Sequence, residues 1–201
     1  MVRARIKVGE DILCERVDIY VDEDYGIPSF VFLPLNPPDK PMPALVWNPG
    51  YSQSKWDKTY EQFAVRMARQ GFAVLIPDHA PFGETSSLDN QLPSAMSLVM
   101  GMGHLLGISQ LALRAAETMR AGEYLRSRND VDESRIAVSG LCQGGMDTWL
   151  AAALDDVEVF CRKIYKLYDA EDKIDFRTEI NEHNLTGPFA DALEKFLLQH
   201  V

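Results

Sequence analysis

The chain has 201 residues, a length that fits one domain with a sizeable hydrophobic core. Its formal net charge of -10 argues against a nucleic acid or an anionic membrane surface as partner, because a phosphate backbone requires a basic protein face. The three cysteines, Cys14, Cys142 and Cys161, are widely spaced and form no CxxC pair. They favour a reducing compartment over a disulfide framework or a zinc site, and we expect neither a metal nor a cofactor.

Targeting signals are not evident. The N-terminal residues are basic but lack the apolar segment of a signal peptide. The apolar stretches of the chain are too short and too interrupted to span a bilayer. We therefore expect a cytoplasmic protein without membrane contact.

The N-terminal part of the chain is predicted to form an antiparallel hairpin. Residues 15–21 alternate between polar and apolar side chains, residues 28–33 are mostly apolar, and a turn at Tyr25 and Gly26 separates them. The proline-rich residues 34–43 are predicted to form a loop, because proline interrupts both helices and strands.

Beyond this loop, predicted strands and helices alternate. Strands are predicted at residues 44–47, 72–76 and 136–138, and helices at residues 60–67, 111–125 and 146–154. This alternation is typical of an α/β fold, a mostly parallel sheet with helices on both faces, and we expect one such domain over residues 1–201. The functional site of such a sheet lies beyond the carboxyl ends of the strands, where Tyr51, His79 and Cys142 fall.

The segment that follows the third of these strands is typical of a nucleophile elbow with cysteine in the attacking position. Gly140 and Gly144 flank Cys142 in the spacing G-x-nucleophile-x-G, after a strand and before a helix. Glycine suits both positions because the nucleophile lies in a sharp turn against neighbouring backbone. A thiolate there would also gain from the positive end of the helix dipole. A small, buried core cysteine is the alternative.

These stretches resemble the α/β-hydrolase superfamily, and within it the dienelactone hydrolase and acetyl-xylan-esterase-like group. Besides the elbow, the matching stretches are residues 48–51, in the place of the oxyanion loop, residues 68–78 and residues 131–136. Dienelactone hydrolases are similar in carrying cysteine where most esterases of the superfamily carry serine. The resemblance implies hydrolysis of small carboxylic esters or lactones, with Cys142 as the nucleophile.

The resemblance also implies the other groups of the site. Backbone N–H groups of Tyr51 and Gln143 would form the oxyanion hole. His183 would act as base and later as acid, because it lies between a predicted strand at residues 174–180 and a predicted closing helix at residues 189–198, where the catalytic histidine of the family falls. A surface histidine without a catalytic role is the alternative.

The other three histidines fit that role less well. His79 is expected to shape the loop in which it lies, His104 falls in a region broken by glycines, and His200 is almost terminal.

The chain departs from the family between the elbow helix and His183. Residues 157–172 carry apolar side chains at helical spacing and predict one amphipathic helix, so about two strands, and the triad acid that follows them, are missing from a shortened C-terminal part. The candidate replacements for the acid are Asp169, Asp172 and Glu182, each of which also fits a solvated surface carboxylate.

The missing strands affect the sheet and the function. Either the last predicted strand pairs with the elbow strand, or an exposed edge is covered by a second chain in a homodimer.

The missing acid leaves two alternatives to a small-molecule ester hydrolase. One is a catalytically impaired hydrolase-fold protein that acts as a binding module, and the other is a redox sensor based on Cys142. Dienelactone hydrolases bind a substrate carboxylate through arginines near the site, one of them shortly after the catalytic histidine. Residues 184–187 contain no arginine, which weakens the resemblance on this point and makes a small neutral ester or an acetylated compound equally suitable as substrate.

Overall fold

The computed structural model of the chain describes residues 1–86, 100–154 and 188–200. Within these ranges a six-stranded sheet carries helices on both faces. The strands are β1 (Val2–Val8), β2 (Ile12–Tyr20), β3 (Gly26–Pro34), β4 (Met42–Asn48), β5 (Ala73–Pro77) and β6 (Val131–Gly140). The helices are α1 (Lys58–Arg69), α2 (Gln110–Arg126), α3 (Gln143–Leu154) and α4 (Pro188–His200).

The strand order confirms the predicted α/β class. The order in the sheet is β1-β2-β3-β5-β4-β6, in which β4 runs parallel to both β5 and β6. The predicted hairpin is β2–β3, and these two strands, together with β1, form the antiparallel part of the sheet. β6 is the last strand of the described sheet, so how its outer edge is covered stays a prediction. The predicted helix at residues 157–172 and the strand at residues 174–180 lie outside the described residues.

The central strands β4 and β5 are buried on both faces, and their side chains alternate between two hydrophobic clusters. Leu45 and Val74 face α1 and α4 on one side. Val46 and Leu75 face α2 on the other side. Each fully buried side chain of this size stabilises the fold by about 1.5–3 kcal/mol relative to exposure. Burial on both faces explains why these strands appear in the sequence as continuous apolar runs.

Helix α1 extends the helix predicted at residues 60–67 by two residues at each end. The side chain of Asp57 accepts a hydrogen bond from the N–H of Thr59 at 2.9 Å and so caps the first turn. The helix ends before Gly71, whose φ of +89° lies in the region that glycine adopts most easily.

Helix α4 packs on α1. Leu197 is buried in the same cluster as the apolar face of α1. Arg66 of α1 forms ion pairs with Asp191 and Glu194 of α4. The predicted closing helix is therefore present. No helix within the described ranges is long and apolar enough to cross a membrane.

A buried ion cluster joins the loops that follow β4 and β5. The Lys55 side chain is fully buried, and its Nζ contacts the carboxylates of Asp78 and Glu84. The backbone N–H of Lys55 also donates to Asp78 Oδ1 at 2.8 Å. Burial alone would raise the pKa of Glu84, but Lys55 and Arg16 outweigh it and hold that pKa below its usual value. The cluster therefore holds the loop after β4 and the loop after β5 in one relative position.

We expect Asp78→Ala to destabilise the protein strongly, because it leaves the Lys55 ammonium buried without its main partner. The expected loss in the free energy of unfolding is about 3–5 kcal/mol. Glu84→Gln is the matched control, since Glu84 is partly exposed, and it should lose only about 1 kcal/mol. Urea unfolding measures both values, and equal losses would contradict this account of the cluster.

Candidate active site

The carboxyl ends of β4, β5 and β6 meet at one edge of the sheet. Asn48 at the end of β4 lies beside Gly140 at the end of β6 in parallel register. His79 lies two residues beyond the last residue of β5, at the carboxyl end of that strand, as the sequence predicts. Tyr51 and Cys142 extend from these ends and line one cleft.

The backbone at Cys142 has the conformation of a nucleophile elbow. Its φ of +55° lies in the left-handed region, which costs a non-glycine residue roughly 1–3 kcal/mol and persists only where the surroundings impose it. Backbone hydrogen bonds hold the turn: the N–H of Leu141 donates to Asn48 O at 3.3 Å, the N–H of Gly144 donates to Leu141 O at 2.9 Å, and the N–H of Gly145 donates to Cys142 O at 3.0 Å. The turn leads directly into α3 and leaves the Cys142 side chain exposed.

Close packing accounts for the two glycines of the elbow. A Cβ on Gly140 would lie 2.5 Å from the backbone carbonyl of Gly144. A Cβ on Gly144 would overlap the carbonyl oxygen of Asn48 and lie 2.7 Å from that of Pro49. The expected crowding is therefore present at both positions, and the predicted oxyanion loop, residues 48–51, is the neighbour that causes most of it.

The cleft beside Cys142 has a volume of about 510 Å³. Its described lining contains no Asp, Glu, Lys or Arg and consists of Tyr51, Met100, His104, Ser109, Gln110, Leu111, Cys142, Gln143 and Met146. The two residues predicted for the oxyanion hole, Tyr51 and Gln143, therefore share the cleft with the predicted nucleophile. Within the described part of the chain, no group of three His, Cys, Asp or Glu residues has a metal-binding arrangement.

One histidine, His104, lies in a place that the sequence did not predict. His183 lies outside the described residues. So do the candidate acids Asp169, Asp172 and Glu182. His104, which the sequence offers only as part of a glycine-broken region, is exposed and lines the cleft.

His79 is the centre of a buried polar network that sequence reasoning missed. Its Nδ1 lies 2.7 Å from Oε2 of Glu117, and its Nε2 lies 2.8 Å from Oδ1 of Asn48. The carboxylate of Glu117 also accepts hydrogen bonds from Tyr25 and from the N–H of Ala80. The role expected for His79 in shaping its loop agrees with this burial. Glu117 gave no signal, because a glutamate in an amphipathic helix is ordinarily solvent-facing.

A second buried pair joins α2, α3 and the oxyanion loop. Arg114 Nε donates to Asp147 Oδ2 at 2.7 Å, and Arg114 Nη2 donates to the carbonyl of Pro49 at 2.8 Å. Burial raises the pKa of Asp147, and the charge of Arg114 opposes that shift only in part. The pair therefore costs desolvation, but it holds the start of α3 against the oxyanion loop.

Helix α1 is also hydrogen-bonded to the oxyanion loop, through Tyr60. The N–H of Gly50 donates to the hydroxyl of Tyr60 at 3.2 Å, and that hydroxyl donates to the side chain of Gln53. Burial raises the pKa of Tyr60 to about 12, so the hydroxyl stays protonated and can keep donating.

The two described cysteines differ sharply in environment. Cys14 is buried in the core on β2, and burial raises the pKa of its thiol to about 12. Cys142 is exposed at the cleft. Cys14 is thus an unreactive core thiol and a poor resolving partner for a redox sensor based on Cys142.

The strand order, the elbow and the cleft at the carboxyl ends of the strands define a protein of the α/β-hydrolase type. The sequence profile of the dienelactone hydrolase family matches residues 30–161. The chain belongs to that family, which confirms the resemblance seen in the sequence.

Individual relatives are 28% or less identical to this chain, and their chains are longer than this one. The protein YtaP of Bacillus subtilis (strain 168), whose name places it among hydrolases, is 28% identical over 123 residues, which cover 61% of this chain and 37% of its own. A Bacteroides fragilis NCTC 9343 structure assigned as an acetyl xylan esterase has a TM-score of 0.66 at 20% identity, covering 77% of this chain and 44% of its own. The acetyl xylan esterase from Paenibacillus sp. R4 has a TM-score of 0.58 at 23% identity, covering 77% of this chain and 50% of its own. The chain thus spans half or less of the length of these relatives.

We expect Gly144→Ala to disturb the elbow, because the added methyl group overlaps the backbone of the oxyanion loop. Overpacking of this kind costs about 1–3 kcal/mol. Gly145→Ala is a matched control in the same helix, since its Cβ would lie 3.4 Å from Gly140 O, an ordinary contact. Thermal unfolding should show a lower Tm for Gly144→Ala and an unchanged or slightly higher Tm for Gly145→Ala. Equal Tm values for the two variants would refute the packing argument.

Proposed function

We propose that the protein hydrolyses small, uncharged carboxylic esters or lactones, with Cys142 as nucleophile and His183 as base. The observation that carries the proposal is the strained backbone of Cys142, which presents an exposed thiol to a cleft in a member of the dienelactone hydrolase family. Strain of this kind is maintained where the surrounding structure requires it, and active-site turns are frequent examples.

The reaction has two halves. The Cys142 thiolate attacks the ester carbonyl, the carbon–oxygen bond breaks, and the alcohol leaves with a proton from His183. Water then attacks the thioester while His183 accepts its proton, which releases the acid and restores the thiol. In both halves the N–H groups of Tyr51 and Gln143 stabilise the negative oxygen of the tetrahedral intermediate.

The orientation of His183 requires a partner, for which Asp169, Asp172 and Glu182 are the candidates. In serine hydrolases the corresponding carboxylate contributes about 10⁴ in turnover. A cysteine nucleophile depends less on this group, because a thiolate forms more readily than an alkoxide. A weaker acid–histidine pairing is therefore compatible with turnover by Cys142.

The cleft supports an uncharged substrate. Met100, Leu111 and Met146 offer thioether and aliphatic surface, and none of the described lining residues is Asp, Glu, Lys or Arg. Arg114, which lies close behind, is buried and engaged by Asp147 and by the oxyanion loop. The net charge of -10 adds long-range repulsion of anions.

Turnover of p-nitrophenyl acetate tests the nucleophile and the base. Cys142→Ala and His183→Ala should each lower kcat by about 10³-fold or more, because each removes a group that takes part in bond making or proton transfer. Cys14→Ala is the matched control, because it removes a thiol that is buried in the core.

His104→Ala belongs in the same experiment, because His104 lines the cleft. We expect it to raise KM and leave kcat within a few-fold. Loss of kcat in His104→Ala but not in His183→Ala would overturn the assignment of the base. A folded wild-type protein that binds esters without turning them over would instead support the binding-module alternative.

We expect the enzyme to prefer p-nitrophenyl butyrate over the anionic mono-p-nitrophenyl succinate. A carboxylate in this cleft loses hydration, and the described lining residues include no Lys or Arg to pair with it, so kcat/KM should favour the butyrate by roughly 10-fold or more after subtraction of spontaneous hydrolysis. Met146→Arg should reduce this ratio, and Met146→Gln is the neutral control. If the ratio of kcat/KM for the butyrate to kcat/KM for the succinate ester is equal in the wild type and both variants, charge in the cleft does not determine which ester is preferred.

A further inference from the structure

Behind the cleft lies a chain of buried polar side chains that the proposed chemical steps do not use. It consists of Glu117, His79, Asn48 and Thr148, and we call it the buried clamp. Asn48, His79 and Glu117 are each almost fully buried. None of the four is among the residues that line the cleft.

Asn48, at the end of β4, is hydrogen-bonded to both α2 and α3. Its Nδ2 donates to Thr148 Oγ1 of α3 at 2.9 Å, and its Oδ1 accepts from Thr118 Oγ1 of α2 at 3.2 Å. Its backbone oxygen accepts the N–H of Leu141 and lies against Gly144. Asn48 is therefore bonded to the elbow through its backbone and to the helix that follows the elbow through its side chain.

His79 and Glu117 fix the remaining side of Asn48. The imidazole lies between Glu117 and Asn48, with one ring nitrogen within hydrogen-bond distance of each. The Glu117 carboxylate is in turn held by Tyr25 and Ala80. Because each buried group already has its partners, a rotation of any one of them leaves a polar atom unsatisfied, and the arrangement therefore favours a single geometry.

We infer that the buried clamp is a positioning device for the hydrolytic site, an inference that rests on the proposed function. It acts through Asn48 by setting the separation between the oxyanion loop and the nucleophile elbow. A displacement of reacting groups by about 1 Å can lower turnover by roughly 10²-fold, so groups that set this separation affect kcat without touching the substrate. His79, Glu117 and Asn48 are accordingly positioning residues.

The test compares Asn48→Ala and Thr148→Val with a variant that is destabilised elsewhere. Val17→Ala is that control, because Val17 is buried on β2 and has no part in the clamp. The clamp variants should lower kcat for p-nitrophenyl acetate by about 30–100-fold with KM within threefold. Val17→Ala should keep kcat at an equal or greater loss of Tm. A kcat that follows Tm in the same way in all three variants would overturn the inference.

A pair of substitutions at Thr148 distinguishes loss of the hydrogen bond to Asn48 from loss of side-chain packing. Thr148→Ser keeps the hydroxyl that accepts from Asn48, whereas the nearly isosteric Thr148→Val removes it. We expect kcat close to wild type in the serine variant and reduced in the valine variant. This pair also keeps the test available if Asn48→Ala fails to fold, and equal kcat values in the pair would count against the clamp.

Alkylation of Cys142 by iodoacetamide, mapped by mass spectrometry, distinguishes failure of the clamp from failure of the proposed function. If the wild-type protein turns over no ester, the hydrolase proposal fails, but the alkylation rate still reports the geometry of the elbow. The clamp variants should then alter that rate by at least about threefold relative to wild type and Val17→Ala. Unchanged alkylation together with unchanged kcat would refute the clamp alone.

Discussion

The site depends on the close approach of the Asn48 carbonyl to the elbow that bears Cys142. Parallel pairing of β4 and β6 brings the two strand ends together, and Gly140 and Gly144 leave the space that this approach requires. With the carbonyl in place, the N–H of Leu141 has its acceptor and the left-handed backbone of Cys142 is supported. The exposed position of the thiol is thus a consequence of backbone packing beneath it.

Three buried polar clusters reinforce this arrangement from different directions. Lys55 joins the loop after β4 to Asp78 after β5, Arg114 joins α2 to α3 and to the oxyanion loop, and His79 joins Glu117 of α2 to Asn48. Each cluster has a desolvation cost that apolar packing would avoid. Hydrogen bonds are directional, however, whereas apolar contacts of similar area allow sliding. The concentration of these clusters behind one cleft fits a site in which loop positions must be well defined.

Family membership and the described lining of the cleft are the two observations behind the proposed chemistry. The dienelactone hydrolase family supplies the expectation of acyl transfer by a nucleophile at the elbow. The proposal of an uncharged substrate rests on the described lining of the cleft, in which Met100, Leu111 and Met146 are apolar and no residue is Asp, Glu, Lys or Arg. The chain spans half or less of the length of the relatives compared with it.

The sequence by itself determined the β2–β3 hairpin, the alternation around the parallel strands, the elbow at Cys142 and the family. Each of these is encoded locally, by hydrophobic periodicity or by glycines at fixed spacing from the nucleophile. Only the tertiary structure decided that His104 lines the cleft and that Glu117 and His79 hold Asn48. These contacts join residues 31 and 38 positions apart in the chain, and no local pattern distinguishes a buried glutamate from a solvent-facing one. Their physical origin is the packing of separate elements, which a one-dimensional pattern does not contain.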